Sequence, residues 1–491
     1  MNLSRALLDR AAGTPAAPAI EWSGGTLTFA DLADWARRGA GFVGGRTGQG
    51  DAPVALLLEG DARFVAWFLA AAVAGRAVLP LNLRLTAPEL AGQLRDAQVA
   101  TLIADPEDPR LAELARLVPG LTIALAPELA ALDRPGGPWP GESAADDDIV
   151  AVLFTSGTSG RSKGACLTSA NFLASARGAA ERLGPCVQDR WLACMPLFHV
   201  GGLSIVVRSL LFGGPIRLHA RFDATQVSEA LTAGGIAGVS LVPTMLSRLL
   251  AHREGLRCPA DLRAVLLGGA AAPPALVERA LALGYPVCPT YGLTEATSQV
   301  ATTTPPAPSA REPGPMLPLH GTELRIAVDG RDAAVGEEGE ILVRGPTVMR
   351  GYLGDPAATA RALQSGWLHT GDVGRLDADG GLRVLDRRDD LVVSGGENVY
   401  PAEVEGVLLE HPDVIEAGVT GEPDDDLGAR VVAWVVLRDG VPPDAAILAE
   451  HCSSRLAGFK RPRQFRFVRS LPRNAAGKLL RRRLPETQGG C

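Results

Sequence analysis

The sequence predicts a layered α/β protein of two or more domains, built on a largely parallel sheet. Its 491 residues exceed what one compact core holds. Apolar runs at 53–58, 77–81 and 99–104 alternate with helical patterns at 61–74 and 88–96, the rhythm of a sheet covered on both faces. The 57 glycines and 37 prolines are dispersed, as turns between many short elements require.

Taken in order, 27–43 reads as an amphipathic helix, with Leu32, Trp35, Ala36, Ala40 and Phe42 recurring after Thr28 and Asp31. The stretch 105–142 is rich in proline and acid and reads as weak helices with a surface loop. An apolar run at 149–154 then leads into 154–164, F-T-S-G-T-S-G-R-S-K-G. A helix at 169–183 follows. Residues 190–202 run a buried strand into a turn, and a further helix carries Ser204 and Arg208 one turn apart. Strands at 235–242 and 262–267 flank a helix at 245–252; the second ends in Gly268-Gly269-Ala270-Ala271. Alternation at 323–327 and an extended run at 340–343 mark a small β-rich unit. The last hundred residues alternate again: helices at 402–409 and 444–456, strands at 414–419, 431–437 and 464–468.

The formal net charge of -7 disfavours a nucleic-acid partner held by bulk electrostatics. Seven cysteines without a C-x-x-C pair or metal-ligand spacing fit a reducing compartment. Residues 1–20 lack an apolar signal core, and the longest apolar run, 64–75, is too short to span a bilayer. The expectation is a cytoplasmic protein without membrane insertion.

Chemistry concentrates in a few stretches. Segment 154–164 offers three glycines, five hydroxyls and two cations after a buried-strand pattern. Free N–H groups in such a turn form an anion nest, which Ser156, Thr158, Ser159 and Lys163 would reinforce. The same composition also suits a flexible surface loop, and the spacing is not G-x-x-x-x-G-K-[ST]. His199 stands either as a packed core histidine or as a pocket wall. Arg208 stands either as a structural arginine or as the partner of a substrate carboxylate. In Y-G-L-T-E, Tyr291 offers a ring face, Thr294 a hydroxyl and Glu295 an oxygen donor suited to Mg²⁺.

Segment 154–164 closely resembles the phosphate loop of the adenylate-forming enzymes, the group of acyl-CoA synthetases, luciferases and carrier-loading adenylation domains. The later motifs Y-G-L-T-E, T-G-D at 370–372 and P-R-N-x-x-G-K at 472–478 resemble the same family. Ser159 and Ser162 stand where the family usually has Thr and Pro, and Ser169 where it often has His. The resemblance implies a large multi-subdomain adenylate-forming domain, 1–387, that binds AMP and the acyl group. A smaller mobile α+β domain, 388–491, would carry the adenylation lysine and the thioester-forming face. It implies ATP, Mg²⁺ and CoA as cofactor and co-substrates. Lys478, Thr155, Lys163 and Glu295 would be catalytic, with Glu295 also the metal ligand. Nucleotide and CoA would be bound by Ser156, Gly157, Thr158, Ser159, Gly160, Gly269, Tyr291, Gly292, Thr294, Asp372, Arg387, Gly395 and Gly396. The acid would meet His199, Ser204, Arg208, Gly268, Ala270, Thr297 and Ser298, and Asp389 would be the hinge. A homodimer is a family expectation.

Within the family, 190–208, 265–273 and 291–299 most resemble the o-succinylbenzoate–CoA ligases. That likeness implies 2-succinylbenzoate as the acid, with its aromatic carboxylate retained against a polar or cationic group. Another small carboxylic acid, in a broader acyl-CoA ligase or a carrier-loading enzyme, is the alternative.

Overall fold

The computed structural model describes residues 2–46, 52–133, 139, 145–156, 162–184, 188–270, 272, 274–307, 310, 312–386, 391–438, 440–472, 479 and 481–487; counts of elements refer to these. Two large sheets share one apolar core. In the first, Val287–Tyr291, Ala264–Leu267, Gly238–Leu241, Trp191–Ala193, Ile216–Leu218 and Pro18–Trp22 run parallel in that spatial order. Short antiparallel strands extend both edges to nine. The second sheet holds Ile149–Ser156, Val78–Pro80, Val54–Leu57, Thr101–Ala104 and Thr122–Leu125 in parallel, with two antiparallel additions. Helix Ala62–Val73 lies wholly within this core. Its first N–H groups are satisfied by the Asp61 side chain, which accepts from Arg63 N at 2.8 Å and Phe64 N at 3.4 Å.

An antiparallel sheet built on Glu323–Val328, Gly339–Arg344, Trp367–Leu376 and Leu382–Asp386 follows. Beyond it, a hairpin of Val392–Ser394 with Glu397–Val399 precedes a three-stranded sheet, Val414–Asp424, Gly428–Leu437 and Gln464–Phe467, flanked by helices Pro401–Leu409 and Ala445–Ser453.

Two local readings change. The proline- and acid-rich stretch 105–142 contains a short helix, Leu111–Leu117, and the edge strand Thr122–Leu125. Only Ala124 of that strand is buried, so the usual apolar alternation is faint. The 154–164 segment is not all loop. Ile149–Ser156 and Ser162–Thr168 form a hairpin in which Thr155 pairs with Lys163 and Ser156 with Ser162. The hydroxyl- and glycine-rich composition hides the second strand.

The C-terminal sheet docks on the N-terminal α/β layers. One apolar cluster runs from Leu85, Leu90 and Leu94 to Val404, Leu456 and Phe459. Inside this junction the Lys460 Nζ donates to Glu89 Oε1 at 2.9 Å and to Glu403 Oε1 at 2.7 Å. Burial opposes the charge on Lys460, but Glu403 and Glu89 outweigh it and raise its pKa. Burial pushes the Glu403 carboxyl up. Glu89 is itself tied to Thr86, whose backbone N donates to its other oxygen at 2.7 Å. Removing one member of a buried ion cluster leaves bare charge, which costs about 3–5 kcal/mol. Lys460→Met is therefore expected to lower unfolding free energy by about that amount in urea titration. Adding Glu403→Gln should restore part of the loss.

Candidate active site

A cavity of about 200 Å³ lies where the parallel strands of the nine-stranded sheet end. Such carboxyl-end crevices are where open α/β sheets bind ligands. Gly268 and Gly269 follow strand Ala264–Leu267, and Gly292 follows Val287–Tyr291; all three line the cavity. Gly292 has no substitute: a Cβ there would sit 1.5 Å from Ser298 O. The chain doubles back because Thr297 and Ser298 take φ of 52° and 82°, values that disfavour a β-branched residue. Two bonds hold that turn. Thr297 Oγ1 donates to Thr347 O at 2.7 Å, and Ser175 Oγ donates to Thr297 O at 2.7 Å.

The turn delivers Glu295. Its side chain is buried, and Oε1 accepts from Tyr352 Oη at 2.8 Å and Thr155 Oγ1 at 3.3 Å. Among the described residues it forms no ion pair. A buried carboxylate served only by hydroxyls is suited to a hard cation. Among the described residues there is no cluster of three or more His, Cys, Asp or Glu. Mg²⁺ keeps water and phosphate ligands and needs few protein carboxylates. Lys163 sits beside this group, its Nζ 5.2 Å from the Tyr352 ring centre.

Asp372 forms the neighbouring wall. Its Oδ2 accepts from Tyr291 Oη at 2.7 Å, and its backbone N donates to Thr370 Oγ1 at 3.0 Å. Tyr291 is 3% exposed and does not line the cavity. The ring expected to face a base is packed in the core, and its hydroxyl orients Asp372 instead.

His199 is the N-cap position of helix Val200–Phe212, without a side-chain cap bond, and lines the cavity with Arg208, four residues after Ser204. Arg208 is 4% exposed, and its Cζ lies 4.8 Å from the Trp191 ring centre. Ser204 does not line the cavity: its Oγ donates to Val200 O at 2.8 Å, one turn back in the helix. Thr297 is likewise occupied by Thr347 O, while Ser298 does line the cavity. Ala270 lies beyond the lining, one residue past Gly269.

The C-terminal hairpin closes the cavity. Gly396, Asn398 and Tyr400 line it; Gly395 does not, and its N donates to Leu427 O at 2.8 Å. Between them in sequence, Glu397 is buried at the junction. It accepts from Arg84 at 3.1 Å and from Asn82 at 3.4 Å, and lies 3.0 Å from His199 Nε2. Burial works against its charge, but His199 and then Arg84 outweigh it and hold the carboxyl below the usual glutamate range. Arg84, Asn82, Glu397 and Tyr352 were not singled out from sequence. So were not Ser240, Gln299 and Thr370, which also line the cavity. The expected residues Gly157, Thr158, Ser159, Gly160, Arg387, Asp389 and Lys478, and the Ser156 side chain, lie outside the described residues. Leu479, next to Lys478, packs with Trp434 and Leu484 on the C-terminal sheet. Burial pushes the Cys194 thiol up to about 12 and Cys166 up to about 11, so neither supplies a thiolate at neutral pH.

Residues 7–353 match the family model of the AMP-binding enzymes, and 403–478 match that of the AMP-binding enzyme C-terminal domain. The chain belongs to the AMP-binding enzyme family. This AMP-binding enzyme is 43% identical over 483 residues to a 2-succinylbenzoate–CoA ligase of Geobacillus kaustophilus (strain HTA426), covering 97% of this chain and 96% of the relative. Among solved structures it resembles the o-succinylbenzoate CoA synthetase of Bacillus subtilis, 37% identical with 99% of each chain covered. The TM-score is 0.90 against a double mutant of that protein bound to its product analogue OSB-NCoA. It falls to 0.73 against the same protein in complex with AMP. Identity and coverage are equal, so the two scores separate arrangements of the parts. Of the two, the product-analogue complex is the one this chain resembles more. Among the described residues no helix is long and apolar enough to cross a membrane.

The Glu397 junction has a definite pH dependence. A carboxyl with a depressed docked pKa contributes fully above its free value and loses its contribution as pH falls through the docked value. Small-angle scattering should therefore show this arrangement weakening in acid, below the ordinary glutamate value of 4.5. Glu397→Gln should be less docked at neutral pH and lack that acid limb.

Proposed function

We propose that the chain is an ATP-dependent acid–CoA ligase that converts 2-succinylbenzoate, ATP and CoA to 2-succinylbenzoyl-CoA, AMP and pyrophosphate. The observation that carries the choice of acid is Arg208: a cation 4% exposed in the cavity wall. A monocarboxylic acid spends its only carboxylate on the reaction. An acid that keeps a second one needs a cation inside the cavity to receive it. Met195, Leu241, Val242 and Leu266 supply an apolar lining for its ring.

In the first half-reaction a carboxylate oxygen attacks the α-phosphorus of ATP, and the bond to the β-phosphate oxygen breaks. Thr155, Lys163 and residues 156–160 hold the departing phosphates. Glu295 would hold Mg²⁺, which when bound would supply positive charge to the phosphate oxygens. Asp372 accepts from the two ribose hydroxyls, with Tyr291 fixing its orientation and Arg387 assisting. Thr294 meets the α-phosphate, and Lys478 balances the charge developing between carboxylate and phosphorus. In the second, domain 388–491 turns about Asp389 relative to domain 1–387. Gly395 and Gly396 then border the thiol's path. Sulfur attacks the acyl carbonyl, the thiol gives up its proton, and the acyl–oxygen bond to AMP breaks. His199 sits where this path meets the acid. The enzyme is assigned to the cytoplasm, where ATP and CoA are supplied, and to a homodimer as in its family.

AMP release should be faster with 2-succinylbenzoate than with benzoate or octanoate, and should need CoA for turnover. Equal turnover of octanoate would overturn the assignment of the acid. Lys478→Ala should lose acyl-AMP formation about a hundredfold or more while retaining most thioester formation from supplied acyl-AMP.

A further inference from the structure

We infer that Trp191 is a positioning residue that holds the Arg208 guanidinium ready for the second carboxylate and so sets acid specificity. The inference rests on the function proposed above and names a residue outside the cavity lining.

Three constraints lock the indole. Trp191 opens the strand Trp191–Ala193, between Ile216–Leu218 and Gly238–Leu241, and is 4% exposed. Its register partner on the second neighbour is Gly238, where a Cβ would come within 2.2 Å of the indole ring. The ring thus fills the space a side chain on the adjacent strand would take. Its Nε1–H donates to Ser240 Oγ at 3.3 Å, which fixes the ring's rotation. Ser240 itself lines the cavity.

Arg208 lies on this immobile face, Cζ 4.8 Å from the ring centre. An arginine has rotamer freedom to lose when it binds a carboxylate, and a preset geometry reduces that loss. The negative face of an indole also favours a cation in apolar surroundings. The neighbours Ile205, Val206, Val207 and Leu210 supply such surroundings. A ring that merely filled the core would affect all acids alike. A ring that orients Arg208 affects only those with a second carboxylate.

The test compares 2-succinylbenzoate with benzoylpropanoate, the same acid without its ring carboxylate, by pyrophosphate release with kcat and KM measured separately. Wild type should prefer the diacid by about tenfold to a hundredfold, as a charged hydrogen bond would give. Trp191→Leu should cut that preference about tenfold through KM for the diacid, with benzoylpropanoate kinetics little changed. Fluorinated tryptophans placed at 191 keep the ring's shape and weaken only its face, so they hold the fold where leucine fails. The preference should fall stepwise with fluorination. In an Arg208→Gln background the same substitutions should leave the remaining preference unchanged. A flat fluorination series in an enzyme that discriminates the two acids would overturn the role of Trp191 alone. A wild type that does not discriminate them would overturn the diacid reading itself.

Discussion

A carboxylate cannot be left bare inside a protein, and the architecture around this cavity answers that constraint four times. Asp372 has the Tyr291 hydroxyl, Glu295 has the Tyr352 and Thr155 hydroxyls, Glu397 has His199 and Arg84, and Glu403 has Lys460. The partners differ in kind, and so do the consequences. Hydroxyl partners leave negative charge available to a ligand. Cationic partners consume it: Arg84 on Glu397, and Lys460 shared between Glu403 and Glu89, fasten the C-terminal part to the rest of the chain.

That division separates chemistry from movement. Glu295 sits in the 3-10 turn Thr294–Ala296 and Asp372 within the strand Trp367–Leu376, both outside the C-terminal sheet. Glu397 and Lys460 join segments far apart in sequence, and their contacts exist only while the sheet is docked. Two fasteners, one beside the cavity and one in the apolar junction, define a single orientation rather than a loose approach.

Much of this was legible in the sequence where local pattern carries structure. The strand–helix rhythm of 53–104 marks its own elements, as does the repeated alternation of the C-terminal sheet. Glycine turns after buried strands marked the cavity rim at Gly268, Gly269 and Gly292. What local pattern cannot carry is the use of a side chain. Ser204 and Arg208 share a helix face by spacing, yet one hydroxyl is taken by the preceding turn while the guanidinium reaches the cavity. Tyr291 has both a ring and a hydroxyl, and burial decides which is used. Arg84 and Glu397 lie 313 positions apart, so no window of sequence contains their relation.

Strands Ile149–Ser156 and Ser162–Thr168 pair as a hairpin around segment 157–161. Thr155 and Lys163 are cross-strand partners, so the two ends of the loop are held at a fixed separation. A strand slip of one residue would turn Thr155 away from Glu295 and reverse the faces of its neighbours. The register therefore cannot absorb an inserted or deleted loop residue. Loop length becomes an independent dial: the frame stays put while reach changes, which makes this segment a natural place to exchange loops between related enzymes.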